Sequence, residues 1–500
     1  MGVQLLRSNP HIYEINIRPW IRQLREKYGL PLTVSTIPDE EWLELKHLGF
    51  DVIWLMGIWT PSPVGMEIAR SSETLRKELV SVCSGGTLED IGASPYSIFD
   101  YRLNPELGGE DEIGILREKL NSMGLKLFLD FVTNHVAIDN AFVRESIDCF
   151  VTAEAADAEQ HPDWFFPVDT GAGTVHVAYG RDPNFAPWTD SAQLNYFNPL
   201  TRQKMIDTLL RVAEVCDGVR CDMVMLTLND VHENTWGRLL DKKGFARPAT
   251  EFWREAIASV REKHPVFTLL AEVYWGLEWR LQEMGFDYTY DKTIYDRLRC
   301  AGAEEVRVHL RAEKVYQKRL VRFIENHNEM PAIIAFGREK SMAAAVAITS
   351  LRGMRFFHSG QLEGIAAKVP IQFLRHSIKG DAGMKKFYGK LLKIADHPAF
   401  HGGEWTLLEA SADSNEDRTS RNLLCWSWAQ RRTLKLVVIN YYDGVSRGRL
   451  RVPVNPDGKT VAVYDELSER FLSFSSDELR NQGIYVELQP WGAHIFDIDL

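Results

Sequence analysis

The stretch LKLFLDFVTNH at residues 125–135 decides the fold that we expect for this chain. It begins as an apolar run and ends abruptly in the polar side chains of Asp130, Asn134 and His135. A short apolar run with helical patterns on either side is typical of a strand that is buried on both faces. Polar groups at the carboxyl end of such a strand lie where a βα-barrel builds its active site. The stretch therefore predicts one strand of a parallel barrel.

Three further stretches repeat this pattern later in the chain. They are DGVRCD at residues 217–222, FTLLAE at 267–272 and VRFIENHN at 321–328. Each is an apolar or β-branched run that ends in ionisable side chains. One such run is weak evidence, because buried strands often end in a capping Asp or Asn. Four runs in order, at the spacing of a helix plus a strand, favour a (β/α)8 TIM barrel whose polar side chains meet at one end.

The four stretches resemble the conserved regions of the α-amylase family, glycoside hydrolase family 13. The resemblance extends from about Ile12 to the C-terminus, and it includes SPYSIFDY at residues 94–101 and QLNYFNP at residues 193–199. It implies an α/β fold, a TIM barrel with an insertion after strand 3 and a C-terminal antiparallel β-sandwich domain.

The chain divides into three predicted parts. We assign residues 1–135 and 200–400 to the catalytic barrel, 136–199 to a small inserted domain and 401–500 to an all-β domain. The barrel strands are expected at residues 12–16, 51–59, 125–135, 217–222, 267–272, 285–288, 320–326 and 353–361. Beyond residue 401, short β-rich runs such as 449–454 alternate with Gly, Asn and Asp turns, as in a sandwich.

The amino-acid composition excludes some classes of binding partner and indicates a cellular compartment. The hydrophobic share of 45% and charged share of 25% are typical of a soluble globular protein. A net charge of -11 argues against nucleic-acid and anionic-membrane surfaces and suits a neutral substrate. The first ten residues lack the pattern of a signal peptide, and no apolar run spans a bilayer. The six scattered cysteines have no CxxC motif, so we expect reduced thiols and a cytoplasmic location. The sequence does not indicate an oligomeric state.

Two carboxylates on opposite sides of a sugar are the minimal machinery for breaking a glycosidic bond with retention. The resemblance assigns Asp222 as the nucleophile and Glu272 as the general acid/base. Arg220 precedes Asp222 by two residues, so it projects to the same side of its strand and keeps that carboxylate ionised. A nearby negative charge in a dry cleft is expected to raise the pKa of Glu272.

Other residues are expected to bind the sugar. The resemblance places Tyr96 against the sugar ring, and an aromatic ring suits the CH face of a sugar. It also implies that His135 and His327 hydrogen-bond to sugar hydroxyls. Tyr274 and Trp275 follow the acid by two and three residues and are candidates for stacking on the leaving-group sugar.

The remaining expectations concern a metal ion and the insertion. In the family, residues that match Asp130 and Asn134 shape the floor of the site or hold a structural calcium. Two oxygen ligands do not make a metal site, so we predict no cofactor and leave a structural calcium open. Trp164 and Trp188 in the insertion are interpreted as part of its own core rather than as sugar platforms.

The chain departs from the family pattern at Asn328. The family's fourth region ends in Asn-His-Asp, whereas this chain has ENHNE at residues 325–329. An amide has nearly the shape of a carboxylate but lacks its charge, so it holds substrate while losing transition-state stabilisation. This departure has three interpretations. We prefer an engineered Asp-to-Asn change that traps bound sugar, and the second is a naturally slow or silent relative. The third is that Glu329 substitutes for the missing carboxylate, which we disfavour because the neighbouring residue at a strand end points elsewhere.

These residues predict a retaining α-glucosidic hydrolase or transglycosylase that acts on malto-oligosaccharides or related α-glucosides. The MVM sequence at residues 223–225 lacks the Lys-His pair of typical starch-cleaving amylases, which leaves room for a smaller acceptor. The competing hypothesis is a non-catalytic oligosaccharide-binding relative. A phosphorylase is a weaker option, because no Arg or Lys is assignable to a phosphate pocket.

Overall fold

Eight parallel strands form a closed barrel in the computed structural model of the chain, which describes residues 6–171, 173–413, 417–452 and 460–499. In chain order they are β1 (His11–Asn16), β2 (Val52–Met56), β3 (Lys126–Val132), β4 (Gly218–Asp222), β5 (Thr268–Ala271), β6 (Tyr288–Tyr290), β7 (Leu320–Arg322) and β8 (Met354–His358). Each strand pairs with the next along the chain, and β8 closes the barrel on β1. The predicted TIM barrel is confirmed.

The barrel strands are apolar because both of their faces are covered. Every residue of β2 and β4 is buried, and in β3 only Lys126 is half-buried. Gly218 begins β4 at a point of close approach, since a Cβ there would lie 2.6 Å from the ring of Phe128. The glycine therefore lets β4 lie beside β3 in the register that brings their polar ends together.

Helices cover the outside of the barrel and the connections at its ends, and one further helix, Ser476–Asn481, lies in the C-terminal part of the chain. They span Ile17–Tyr28, Asp39–His47, Pro63–Ser71, Glu73–Val82, Glu112–Ser122, Ala141–Glu145, Ala155–Gln160, Pro199–Val215, Asn229–Lys242, Phe252–Lys263, Glu278–Met284, Lys292–Cys300, Ala303–Leu310, Lys314–Lys318, Ala332–Ala335, Arg338–Ser350, Ala382–Ala395, Ala399–Gly402 and Ser476–Asn481. Across the described ranges, none of the helices combines the length and the apolar composition that crossing a bilayer requires.

Two long connections extend above the carboxyl ends of the strands. Between β2 and β3, strands Trp59–Pro61 and Ile98–Leu103 pair antiparallel and flank a pair of helices. After β3, His135–Ala137 pairs with Ser191–Gln193, and a three-stranded sheet is formed by Thr152–Ala153, Thr174–Ala178 and Phe165–Asp169. Both connections therefore supply residues to the same end of the barrel.

The C-terminal part of the chain is antiparallel. Its strands are β9 (Glu404–Leu408), β10 (Leu423–Gln430), β11 (Thr433–Asn440), β12 (Ser446–Leu450), β13 (Thr460–Asp465), β14 (Arg470–Ser475), β15 (Ile484–Leu488) and β16 (Ala493–Asp499). Six of them form a sheet in the order β9-β10-β11-β16-β13-β14, and β12 pairs with β15. An apolar cluster fills the space between these two sheets.

The other face of the six-stranded sheet packs on the barrel. Trp426 and Trp428 belong to the same apolar cluster as the barrel core, and both donate to Ser350 at the end of the helix before β8. The distances are 3.2 Å from Trp426 Nε1 to the hydroxyl and 2.7 Å from Trp428 Nε1 to the carbonyl. The predicted β-sandwich domain is confirmed, and it packs against the barrel.

The observed strands are mostly shorter than the predicted stretches. The sixth begins at Tyr288, where the prediction ends, and the seventh ends at Arg322 instead of residue 326. The polar residues after these strands belong to turns. Residues 453–454 of the predicted run 449–454 lie outside the described residues, as do residues 1–5 of the segment in which no signal peptide is expected. The domain boundaries at 135, 199 and 400 stay predictions.

Candidate active site

The carboxyl ends of the strands surround a cleft of about 430 Å³. Five of the nine predicted site residues line it: Tyr96, His135, Asp222, Glu272 and Asn328. The remaining four are Arg220, His327, Tyr274 and Trp275, of which the first three lie directly behind lining residues. Asp222 and Glu272 are only 5% and 1% exposed. The cleft therefore ends on two deeply buried carboxyl groups.

One guanidinium connects the carboxylates of three strands. Arg220 is fully buried in β4, and its Nη1 lies 2.6 Å from Asp222 Oδ1 and 3.4 Å from Asp130 Oδ1. Its Nη2 lies 2.6 Å from Glu272 Oε2. Asp130 is the β3 residue directly beside Arg220, so strand register alone brings this pair together. The predicted contact between Arg220 and Asp222 is present, and Arg220 also contacts the second carboxyl group.

Hydrogen-bond donors approach both oxygens of Glu272. The backbone N–H of Met223 donates to Oε2 at 2.9 Å, and the Tyr274 hydroxyl donates to Oε1 at 2.9 Å. The Asn328 amide nitrogen donates to Oε1 at 3.3 Å. Burial raises the pKa of Glu272, Arg220 opposes this rise, and the negative charge of Asp222 adds to it. The raised pKa is the direction that a general acid needs.

His327 is held between a carboxylate and a tyrosine. Its Nδ1 donates to Glu14 Oε1 at 2.5 Å, and the Tyr96 hydroxyl donates to its Nε2 at 2.9 Å. The rings of Tyr96 and His327 are stacked, with centroids 5.3 Å apart. Burial would raise the pKa of Glu14, but the imidazoles of His327 and His358 outweigh it and lower that pKa. Burial lowers the pKa of His327, so a neutral imidazole faces an ionised Glu14.

His135, shortly after β3, and Trp188 of the insertion form another part of the cleft wall. Burial lowers the pKa of His135 to about 4, so its ring is neutral near pH 7. The ring of Trp188 lies 5.1 Å from it and also lines the cleft. The interpretation of Trp188 as core is therefore incomplete. Trp164 lies outside the cleft lining, with its ring between His161 and Arg181.

The turn after β5 separates the two aromatic residues that follow the acid. Tyr274 directs its hydroxyl to Glu272, whereas Trp275 has a φ of 65°, is 44% exposed and is not a lining residue of the cleft. Met223, directly after Asp222, also has a positive φ of 42°. Backbone strain directly after Asp222 and three residues after Glu272 is of a kind that is common at functional sites.

The turn after β7 presents Asn328 to the cleft. The side-chain oxygen of Asn326 accepts from the N–H groups of Asn328 and Glu329, at 2.8 Å each. Asn328 is exposed, while Glu329 lies 3.5 Å from Lys292 and does not line the cleft. A substitute role for Glu329 thus has no geometric support.

Sequence reasoning missed two carboxylates near the cleft. Glu14 stands within β1, two residues before the strand ends, so the rule that selected the other strand ends did not select it. Asp190 lines the cleft from the insertion, and burial raises its pKa to about 6. No strand or helix pattern surrounds Asp190, so only its position in the fold identifies it.

The two residues considered for calcium already have protein partners. Asp130 Oδ2 accepts from Trp54 Nε1 at 3.1 Å, and Asn134 Oδ1 accepts from Gln193 Nε2 at 3.0 Å. Within the described residues, no group of three or more His, Cys, Asp or Glu side chains is arranged to hold a metal ion. These oxygens do not fit a calcium site, and we infer that Asp130 and Asn134 shape the floor of the cleft.

A TIM barrel with buried carboxyl groups on β4 and after β5 is the architecture of a glycoside hydrolase. Residues 42–406 match the catalytic domain of alpha amylase. The chain therefore belongs to the alpha-amylase family.

Two curated relatives are similar over part of their length. Alpha-amylase MalA of Haloarcula japonica is 26% identical over 275 residues, which cover 53% of this chain and 36% of that protein. Alpha-amylase 3 of Dictyoglomus thermophilum is 20% identical over 313 residues, which cover 59% of this chain and 58% of that protein. The chain thus spans less than two thirds of either relative.

Solved structures share the whole fold. The noncanonic maltogenic alpha-amylase AmyB of Thermotoga neapolitana superposes with a TM-score of 0.67 at 19% identity, covering 98% of this chain and 99% of that one. The trehalose-6-phosphate hydrolase of Bacillus licheniformis reaches a TM-score of 0.65 at 14% identity, covering 99% of both chains. At these identities the likeness establishes the fold.

Proposed function

We propose that the chain is a retaining α-glucosidic bond hydrolase or transglycosylase that works through a covalent glycosyl-enzyme and is slowed by Asn328. The observation that carries this proposal is the pairing of Asp222 and Glu272 with the two ends of one guanidinium, at 2.6 Å each. Carboxyl groups that flank one guanidinium are close enough for the ~5 Å separation of retaining enzymes.

Asp222 is the nucleophile in this proposal. Its carboxylate attacks the anomeric carbon while Glu272 gives its proton to the departing oxygen, and the bond to the leaving sugar breaks. Glu272, now ionised, then takes a proton from water or from an acceptor hydroxyl, and that oxygen displaces Asp222. Hydrolysis and transfer differ only in which acceptor enters.

The cleft lining favours a neutral oligosaccharide. The described residues that line it include the carboxylates of Asp190, Asp222 and Glu272 but no lysine or arginine. A phosphorylated sugar or a phosphate acceptor would meet negative charge without a cationic partner. Malto-oligosaccharides and related α-glucosides are therefore the proposed substrates. The six cysteines are free, five of them buried, which is compatible with the proposed cytoplasmic location.

Asn328 explains why turnover is expected to be slow. A carboxylate here would bind sugar hydroxyls and support the positive charge of the transition state, whereas an amide supplies no charge. We expect Asn328→Asp to raise turnover by about 10²- to 10³-fold, the scale of one transition-state contact. The test is to incubate both forms with maltoheptaose, trehalose and sucrose and to separate the products by chromatography.

A non-catalytic oligosaccharide-binding protein is the second candidate, favoured by the uncharged Asn328 at the mouth of the cleft. It predicts sugar binding without products in both forms. Calorimetric titration with maltoheptaose, run beside the product assay, separates this outcome from a protein that does not bind sugar. Cleavage or transfer products from Asn328→Asp would exclude it.

A further inference from the structure

The two oxygens of Glu272 have different surroundings. Oε2 faces the Nη2 of Arg220 at 2.6 Å and the N–H of Met223 at 2.9 Å. Oε1 faces the hydroxyl of Tyr274 at 2.9 Å and the amide nitrogen of Asn328 at 3.3 Å. Neither neighbour of Oε2 accepts a hydrogen bond. The proton that makes Glu272 an acid must therefore sit on Oε1.

Tyr274 is the neighbour of Oε1 that suits both protonation states. A tyrosine hydroxyl donates to a carboxylate and accepts from a carboxylic acid, whereas an amide nitrogen only donates. Burial raises the pKa of Tyr274 itself well above its ordinary value, so its hydroxyl keeps its own proton. Tyr274 can therefore keep its hydrogen bond to Glu272 in both halves of the reaction, and its own charge does not change.

The turn that carries Tyr274 holds it in this position. Trp275 and Gly276 have φ values of 65° and 74°, which reverse the chain directly after Tyr274. The Tyr274 carbonyl accepts from the N–H of Leu277 at 3.4 Å, and the Tyr274 ring packs against the barrel core. The hydroxyl is therefore directed at Glu272 by the backbone and by packing.

We propose that Tyr274 is a positioning residue for Glu272: it keeps the acid's proton on Oε1 and sets how readily that proton is lost. The proposal deepens the proposed function and rests on it. The hydrogen bond that the hydroxyl donates to the ionised carboxylate is stronger than the one it accepts from the neutral acid, so Tyr274 favours the ionised form of Glu272. Asn328 is a second donor at the same oxygen, where a carboxylate would favour the protonated form. In this chain, Tyr274 and Asn328 therefore both favour the ionised form of Glu272.

Other charged or titratable groups near Glu272 come from three strands, and they stay unchanged when Tyr274 is altered. In the Asn328→Asp background they include the new carboxylate at position 328, which is present in both variants of the test below. Arg220 and Asp222 belong to β4, Tyr290 ends β6, and His327 follows β7. Any change in the titration of Glu272 after Tyr274→Phe is therefore due to the lost hydroxyl.

The test compares Tyr274→Phe with Tyr288→Phe, each in the Asn328→Asp background. Tyr288 is half-buried at the opposite end of the barrel, where β6 begins, and serves as the matched control. The measured quantity is kcat/KM against pH for maltose and for α-glucosyl fluoride, whose leaving group needs little protonation. We expect the alkaline limb for maltose to move up by about 0.5–1 pH unit in Tyr274→Phe only, with a much smaller shift for the fluoride.

An unmoved limb would overturn the proposal, and so would an equal loss on both substrates at every pH, because a structural or substrate-contact role has that effect. A second measurement does not need turnover. In protein with ¹³C-labelled glutamate carboxyl groups, the signal that Glu272→Gln removes identifies Glu272. Its titration midpoint must rise in Tyr274→Phe and stay in place in Tyr288→Phe. If Asn328→Asp is inactive on every glucoside, the proposed function fails, and this titration still decides the role of Tyr274.

Discussion

The two sides of the cleft hold their buried carboxylates with different partners. On the side of β3, β4 and β5, one fully buried arginine contacts Asp130, Asp222 and Glu272. On the side of β1, β7 and β8, Glu14 pairs with His327, and Glu325 pairs with His358. A guanidinium keeps its charge at every physiological pH, whereas an imidazole does not.

This difference assigns distinct tasks to the two sides. The arginine side holds the two proposed reacting carboxyl groups, and its charge balance changes only when a carboxyl group takes or gives a proton. The histidine side orients groups that are proposed to contact the sugar, and its charge balance depends on pH. Changes on the first side should therefore affect the free energy of unfolding strongly at all pH values, while those on the second should depend on pH.

The largest expected effect is the loss of the shared cation. Arg220→Met leaves three buried carboxylates without their counter-charge, so we expect the free energy of unfolding to fall by about 3–5 kcal/mol. Urea unfolding monitored by circular dichroism measures this change. Arg220→Lys is the control, which keeps the charge but not the two-pronged contact, and it should lose less. Equal stability of Arg220→Met and the parent chain would contradict this account.

The second effect concerns the partner of His327. Glu14→Leu leaves the Nδ1–H of His327 buried without an acceptor, so we expect a loss of about 2 kcal/mol in the free energy of unfolding. Glu14→Gln keeps an acceptor oxygen and should lose less than half of that. Similar losses for the two variants would show that Glu14 acts through its charge and not as an acceptor. Urea titrations at pH 7 separate these outcomes.

The third effect depends on pH. Burial would lower the pKa of His358, but the hydrogen bond to Glu325 at 3.1 Å outweighs it and the pKa is raised. A raised histidine pKa contributes stability that is present below the unfolded-state value of about 6.5 and is lost as pH rises through the folded value. His358→Gln should therefore cost about 1 kcal/mol more at pH 5.5 than at pH 9. A cost that is the same at both values would refute the pairing.

The smallest effect is a gain. The pKa of Asp190 is raised from 3.8 to about 6 by burial, so ionising it costs stability as pH rises between these values. Asp190→Asn should raise Tm by about 1–3 °C above pH 6, with no gain below pH 4. Calorimetric scans at pH 4, 5, 6 and 7.5 measure this trend. A gain that is already complete at pH 4 would point to packing instead of charge.

The sequence predicted the residues at the ends of buried strands better than those in irregular connections. Asp222 and Glu272 were found because an apolar run that stops at a charge is visible in one dimension. Glu14 was missed because it stands inside a six-residue strand whose last residues are also β-prone, so the end of the run was not apparent.

Residues in turns depend on backbone geometry that composition does not show. Trp275 was expected at the sugar, but its positive φ turns it toward solvent, while Tyr274 turns inward to the acid. Asp190 reaches the cleft because Ser191–Gln193 pairs with His135–Ala137, a contact between segments more than fifty residues apart. No periodicity near Asp190 predicts that pairing.

The contact between the C-terminal sheet and the barrel affects how the protein unfolds and whether its domains can be exchanged with those of a relative. Trp426 and Trp428 are part of the barrel's own apolar cluster, so removing their sheet would expose that core to water. The boundary between the two domains is therefore an architectural division but not a thermodynamic one, and both parts should unfold in a single cooperative transition. A chimera with the C-terminal domain of another family member would need to bring a matching pair of aromatic side chains for Ser350.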